Sequence, residues 1–173
     1  MSFTFPHYGT IVEANEYFDN RLHETAWSES NNPDRNKALI AATRTIDALN
    51  YKGNKNPIFL ALEADANATE ETLRDAGLTQ ALKFPRGVDT IVPDVIKFAC
   101  FEIAYSLLDG KDPEIELENL MVTRQKYASV NIEYNRKNVP VEHIVNMIPS
   151  SIAWRWLRPF LVDEDRIILR RVS

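Results

Sequence analysis

One stretch limits the possible folds of this chain more than any other. Val92-Pro93 opens a run in which Val95, Ile96, Ala99, Cys100, Ile103, Ala104 and Leu107 recur at helical spacing, and Gly110 closes it after Asp109. Proline suits a helix start, because its φ is already helical and the amide it lacks would have had no partner there. The run is apolar on more than one face, as expected of a helix at the centre of a core. A helix buried on several sides needs neighbours on several sides. The chain is therefore expected to be mainly α, a helical bundle of about four to five helices with a small β element and an extended C-terminal tail. At 173 residues, 45% of them hydrophobic and 10% aromatic, it has the material for one domain of this kind.

The neighbours can be read from the same signals. Thr10-Ile-Val-Glu13 has the form of a capping box and predicts a helix over 12–24, with Tyr17, Phe18, Leu22 and then Trp27 on its apolar side. Asn32-Pro33 pairs an N-cap with proline at the first helical position. Leu39, Ala42, Ile46 and Leu49 continue that helix, and Gly53 lies just beyond it. Residues 54–84 are polar and acidic, with Glu63, Asp65, Glu70, Glu71 and Asp75. They read as a surface excursion holding one short helix, capped by Thr69 and ended by Gly77. Ala128, Val130, Ile132 and Tyr134 alternate with Ser129, Asn131 and Glu133, the period of a half-buried strand. Residues 140–147 predict a short helix, and Ser150 caps a last one that runs through Arg158 and stops before Pro159. The expected division is a helical-bundle domain over 1–149, with a short strand near 126–134, and a C-terminal helix with an extended docking tail over 150–173.

Charge and motifs narrow the function. The formal charge is −5 and the pI about 5.3, which opposes sequence-independent binding to nucleic acid through a basic stripe. The distribution is uneven: 150–173 carries five arginines against three carboxylates, or +2, so the rest of the chain carries −7. No run approaches a bilayer span, and MSFTFPHYGT lacks the features of a signal peptide, so a cytoplasmic product is expected. His7, His23 and His143 are scattered, no phosphate-binding glycine motif is present, and Ser150 and Ser151 lack the G-x-S-x-G setting of a nucleophile. Asp112, Glu114, Glu116 and Glu118 lack the glycine of a calcium loop and read as a solvated acidic face. The expectation is a protein that is not an enzyme, with no cofactor, no metal and no catalytic residues, whose work is to bind other proteins. Cys100, the only cysteine, is expected to be buried and unreactive.

Trp154, Arg155, Trp156, Arg158 and Phe160 form the least ordinary cluster, followed by Arg166, Ile167, Ile168, Leu169, Arg170 and Arg171. Tryptophan and arginine dominate interface hot spots, so these residues are the candidate partner-binding set. The competing reading places Trp154 and Leu157 in the core of the last helix.

The order of landmarks along the chain points to a family. Tyr17-Phe18, Trp27, Ala38-Leu-Ile-Ala-Ala-Thr-Arg-Thr-Ile-Asp47, Tyr51-Lys-Gly53, Phe84-Pro-Arg86, Ile91-Val-Pro93, Val130-Asn-Ile-Glu-Tyr134 and Trp156-Leu-Arg-Pro-Phe-Leu161 together resemble the head-tail adaptor (connector) proteins of tailed bacteriophages, a family also called DnaT-like. Phe84 stands where these proteins often have tryptophan, and the chain continues past the last motif into a charged tail. The resemblance implies a virion protein of the phage neck, made in the host cytoplasm. Its copies would form a ring, dodecameric by the same resemblance, that binds the portal protein on one side and tail, second adaptor or nozzle proteins on the other. DNA would pass through without specific binding, and no membrane is involved. The rival implied by the second name is a single-stranded-DNA-binding replication accessory protein.

Overall fold

The computed structural model describes residues 5–121, 124–127, 130–133 and 142–162. The chain is mainly helical, with nine α-helices among the described residues. They are α1 (Ile11–Asp19), α2 (Thr25–Ser28), α3 (Asn32–Ala48), α4 (Asn56–Ala64), α5 (Glu70–Leu78), α6 (Asp94–Leu108), α7 (Pro113–Met121), α8 (Glu142–Val145) and α9 (Ser151–Leu157). Arg124–Tyr127 (β1) pairs antiparallel with Val130–Glu133 (β2), in a register that sets Arg124 opposite Glu133. Among the described residues no helix is long and apolar enough to cross a membrane.

Helix α6 is the axis. Ile96, Ala99, Cys100, Phe101, Ile103 and Ala104 are all buried on it, and α1, α2, α3 and α9 pack around it. The α3 contribution is Ala38, Leu39, Ala42, Thr43 and Ile46, the stripe a helical period places on one face. Gly9 turns the chain ahead of α1 at φ +75°, and a Cβ there would lie 2.6 Å from the Phe101 ring, so only glycine fits. The Thr10 hydroxyl then accepts from the Glu13 amide at 3.2 Å, and the Glu13 carboxylate accepts from the Thr10 amide at 2.7 Å, which closes the capping box.

Several expected boundaries move. The first helix ends at Asp19 instead of continuing through 24, and Leu22, expected on its apolar side, is 84% exposed. The chain reverses there through His23, at φ 59°, because two groups beyond the break turn inward. Arg21 reaches the buried Glu102 on α6, and Trp27 on α2 stacks on Phe18 with 4.7 Å between ring centroids. Asn31, not Asn32, caps α3, accepting from the Asp34 amide at 2.9 Å, which puts Pro33 at the second helical position.

The largest correction is the segment over 54–84, expected to hold one short helix ended by Gly77. It is a helical hairpin, α4 and α5, and α4 with the unforeseen α2 and α7 brings the helix count above the expected four to five. Acidic composition hid the local signal Asn56-Pro57 followed by five apolar residues, an ordinary helix opening. Gly77 lies inside α5 at the crossing of the two helices, where a Cβ would sit 3.0 Å from Ile58.

Candidate docking surface at the C-terminal helix

Helix α9 starts where Ser150 Oγ accepts from the Ala153 amide at 3.2 Å. This capping role accounts for the buried Ser150 hydroxyl. Ala153 and Leu157 face α6 and are buried, while Arg155, on another face of the helix, and Arg158, its C-cap, are exposed. Trp156 is half-buried: its ring meets Tyr17 edge-on at 6.3 Å and Phe98 at 5.8 Å, within a cluster that includes Phe101. Trp154, also half-buried, donates through Nε1 to Glu142 on α8 at 3.3 Å. Of the two residues the competing reading placed in the core, Leu157 is buried and Trp154 sits at the boundary.

A turn of 3₁₀ helix over Arg158–Phe160 then redirects the chain. Phe160 packs edge-on against Phe84, at 5.8 Å, in a second aromatic group with Tyr8 and Tyr51. Beyond it, Leu161 forms a single antiparallel bridge with Tyr51. The Lys52 amide donates to Phe160 O at 2.9 Å, and the Val162 amide donates to Asn50 O at 3.0 Å. The last described residues are therefore pinned to the loop that follows α3. Arg166, Ile167, Ile168, Leu169, Arg170 and Arg171, the second half of the candidate set, lie outside the described residues.

Around this exit the fold collects positive charge. A cleft of about 680 Å³ is lined by Lys52, Arg155 and Arg158 with Trp154, and a neighbouring one of about 370 Å³ by Lys55, Lys83 and Arg86 with Tyr51 and Val162. Among the described residues of both linings there is a single carboxylate, Glu142, 3.9 Å from Arg158. Four of the cations are held by backbone carbonyls: Lys83 Nζ donates to Leu49 O at 2.6 Å, Lys55 Nζ to Gln80 O at 2.8 Å, Lys52 Nζ to Pro159 O at 3.4 Å, and the Arg86 guanidinium to Lys52 O, Tyr51 O and Gly53 O. Carbonyls fix the geometry of a cation and leave its charge uncancelled. Burial pulls the Arg86 guanidinium below its ordinary value, against the attraction of the nearby tyrosine hydroxyls. In a chain of charge −5 this collar is a local reversal of sign.

The sequence did not single out Lys52, Lys55, Lys83 and Arg86. A partial signal existed in the Tyr51-Lys-Gly53 and Phe84-Pro-Arg86 landmarks, each of which carries one of these cations. Their convergence depends on the bridge between Lys55 and Arg86, which is a tertiary contact.

The other notable polar group is internal. Glu102, 2% exposed, accepts from Tyr17 Oη at 2.8 Å and pairs with Arg21 at 2.6 Å, and the Arg21 guanidinium lies 4.3 Å from the Tyr105 ring centroid. Burial, reinforced by Glu102, pushes the Tyr17 hydroxyl above its usual value. A cavity of about 440 Å³ opens beside this group, between Glu116, His143 and Ser151. Burial lowers the His143 imidazole from its ordinary value, with Glu116 opposing the shift. Cys100 is wholly buried and its thiol is pushed up to about 12, so it is not a nucleophile at neutral pH. Among the described residues no three His, Cys, Asp or Glu side chains converge in a way that could hold a metal ion.

Comparison of the chain with protein-family models, with curated proteins and with solved structures finds no match in any of the three.

Proposed function

We propose that this protein is a structural head-to-tail adaptor of a tailed phage, located in the virion neck. In this reading its copies form a ring joining the portal to the tail, DNA passes through the ring, and the protein is not an enzyme. The observation that carries the reading is the cationic collar around Val162, the last described residue before the C-terminal segment, on a chain that is otherwise acidic. A surface of that kind suits an acidic partner surface, with Arg155 and Arg158 positioned for charge-assisted hydrogen bonds to carboxylates. The family resemblance supports it too, because its landmarks are not scattered in space. Tyr17, Phe18, Trp27 and Trp156 belong to one aromatic cluster, and Tyr51, Phe84 and Phe160 to the other.

Trp156 is assigned a different part from the one its composition suggested. Packed on Tyr17 and Phe98, it orients α9, and the partner-facing groups are Arg155, Arg158, Trp154 and the segment over 163–173. The test is co-purification with a portal ring, imaged by electron microscopy. A complete ring of this chain on the portal is expected, and one or two copies in place of a ring would reject the reading. Removing 166–173 should leave helical content unchanged and abolish attachment.

One observation favours the alternative, a DnaT-like single-stranded-DNA-binding accessory protein. The collar sets the half-buried Trp154 beside Lys52, Arg155 and Arg158, an aromatic ring among cations of the kind that stacks a base and follows a phosphate backbone. Tight binding to single-stranded DNA that weakens steeply with added salt would select it over the adaptor.

A further inference from the structure

Helix α4 is six-ninths apolar, with Ile58, Phe59, Leu60, Ala61, Leu62 and Ala64, yet neither it nor α5 contains a buried residue. The extended contacts of α4 and α5 are with each other, and no other described helix makes an extended contact with either, which leaves Ile58, Phe59, Ala61 and Leu62 half-buried. Leu60 is 53% exposed and Leu78 76%. The hairpin is also acidic: Glu63, Asp65, Glu70, Glu71 and Asp75 stand against Arg74 alone over 56–78. An apolar surface rimmed by carboxylates is suited to a segment that alternates apolar and basic residues.

The chain supplies one. Residues 163–173 read Asp-Glu-Asp-Arg-Ile-Ile-Leu-Arg-Arg-Val-Ser. They begin at Val162, which lines the same cleft as Lys55, the residue immediately before α4. Lys55 also closes the base of the hairpin, its ammonium reaching Gln80 O at 2.8 Å and Gly77 O at 3.4 Å at the far end of α5. The charge blocks follow in matching order. Along the sequence the acidic triplet Asp163, Glu164, Asp165 comes first, directly after Val162 of the cleft lined by Lys55, Lys83 and Arg86, and the basic block Arg166 to Arg171 follows it. Reach is ample: eleven residues extend up to about 36 Å, and a nine-residue helix such as α4 is about 14 Å long.

We infer that residues 163–173 dock along the α4–α5 hairpin of their own chain, with the acidic triplet on the collar and Ile167, Ile168 and Leu169 over the apolar face of α4. Tethering at Val162 gives the segment a high effective concentration at that face, so the contact forms without a second molecule. The inference does not depend on the adaptor reading. If that reading also holds, a partner that binds the segment must first draw it from the hairpin.

The test is a paramagnetic label at Ser173→Cys in the full chain. The buried thiol of Cys100 is out of reach of the reagent. Broadening of amide signals in α4 and α5, independent of protein concentration, is the expected result. Broadening confined to other elements overturns the proposal. So does broadening that appears only when labelled and isotopically enriched chains are mixed, because that would place the segment on a neighbouring copy. In hydrogen exchange, reversing the three bases together (R166E, R170E, R171E) should accelerate the hairpin amides about tenfold and leave α6 unchanged. Unchanged hairpin exchange overturns it. Restored protection when Glu63, Glu70 and Glu71 are also changed to lysine is the expected rescue, and failure of that rescue counts against the assigned charge pairing.

Discussion

Helices α4 and α6 are both predominantly apolar and have opposite fates. Eight of the fifteen residues of α6 are buried, and none of the nine in α4. The difference lies in their neighbours. Cys100 of α6 faces Thr43 and Leu39 of α3, Phe101 faces Tyr17 of α1, and α9 covers another side. Among the described helices α4 has an extended contact only with α5, which opens on Glu70 and Glu71 and offers little beyond Leu73 and Gly77. Apolar content says that a helix seeks cover. It does not say whether the cover lies within the same body.

The comparison is broken most forcefully from the α6 side. Phe101→Ala should cost about 3–5 kcal/mol of folding stability, since it removes a fully buried ring that also fills the space against Gly9. Chemical denaturation with unchanged m-value would measure it, and a loss below about 1 kcal/mol would mean that α6 is not the axis of the core. Trp156→Ala comes next. Its half-buried ring spans Tyr17 and Phe98, and about 3 kcal/mol is expected, at the low end for such a truncation. A melt unchanged from the parent, together with weakened portal attachment, would return Trp156 to the role of a partner hot spot.

A smaller effect concerns the ion pair that ties α1 to α6. Lys97, followed by the Thr10 cap, holds the Glu13 carboxyl below its ordinary value. A depressed carboxylate stabilises the fold above its unfolded value and loses that contribution as pH falls through the folded one. The stability gap between the parent and Glu13→Gln should therefore be present at neutral pH and close on acidification below about 4.5. Because Glu13 is 39% exposed, solvent screening keeps the gap under about 1 kcal/mol. A gap that widens in acid would refute the pairing. The smallest change is expected on the hairpin's other helix: Leu78→Asp on α5, at a site 76% exposed and outside the α4 face assigned to the C-terminal segment, should shift stability by about 0.5 kcal/mol or less. A loss of 2 kcal/mol or more would show that this face is covered in the folded chain far more completely than the described residues cover it.

Legibility divides along the same line. The α6 signals, Pro93 at one end and Gly110 at the other, were local and correct to within a residue or two. The Thr10–Glu13 capping box was equally plain, since all its atoms lie within four consecutive residues. Arg155 and Arg158 were legible as candidates, and they do reach the surface beside the exit of the C-terminal segment. The break after Asp19 was not legible, because nothing within that turn announces that Arg21 will find Glu102, eighty-one residues away. Nor was the collar, whose cations come from the loop after α3, the turn before α6 and helix α9.

The sequence by itself therefore determined what rests on short-range physics. Backbone restriction by proline and glycine, reciprocal capping and the helical recurrence of apolar residues made the chain helical and identified its axis. Tertiary structure alone decided which apolar helix would be enclosed, which charges would share a surface, and that Trp156 would pack against Tyr17 and Phe98. The physical reason is that burial and electrostatic potential depend on all groups within several ångströms, whatever their separation along the chain. Val162 meets Asn50 through one hydrogen bond, and that contact, more than any motif, fixes where the C-terminal segment begins.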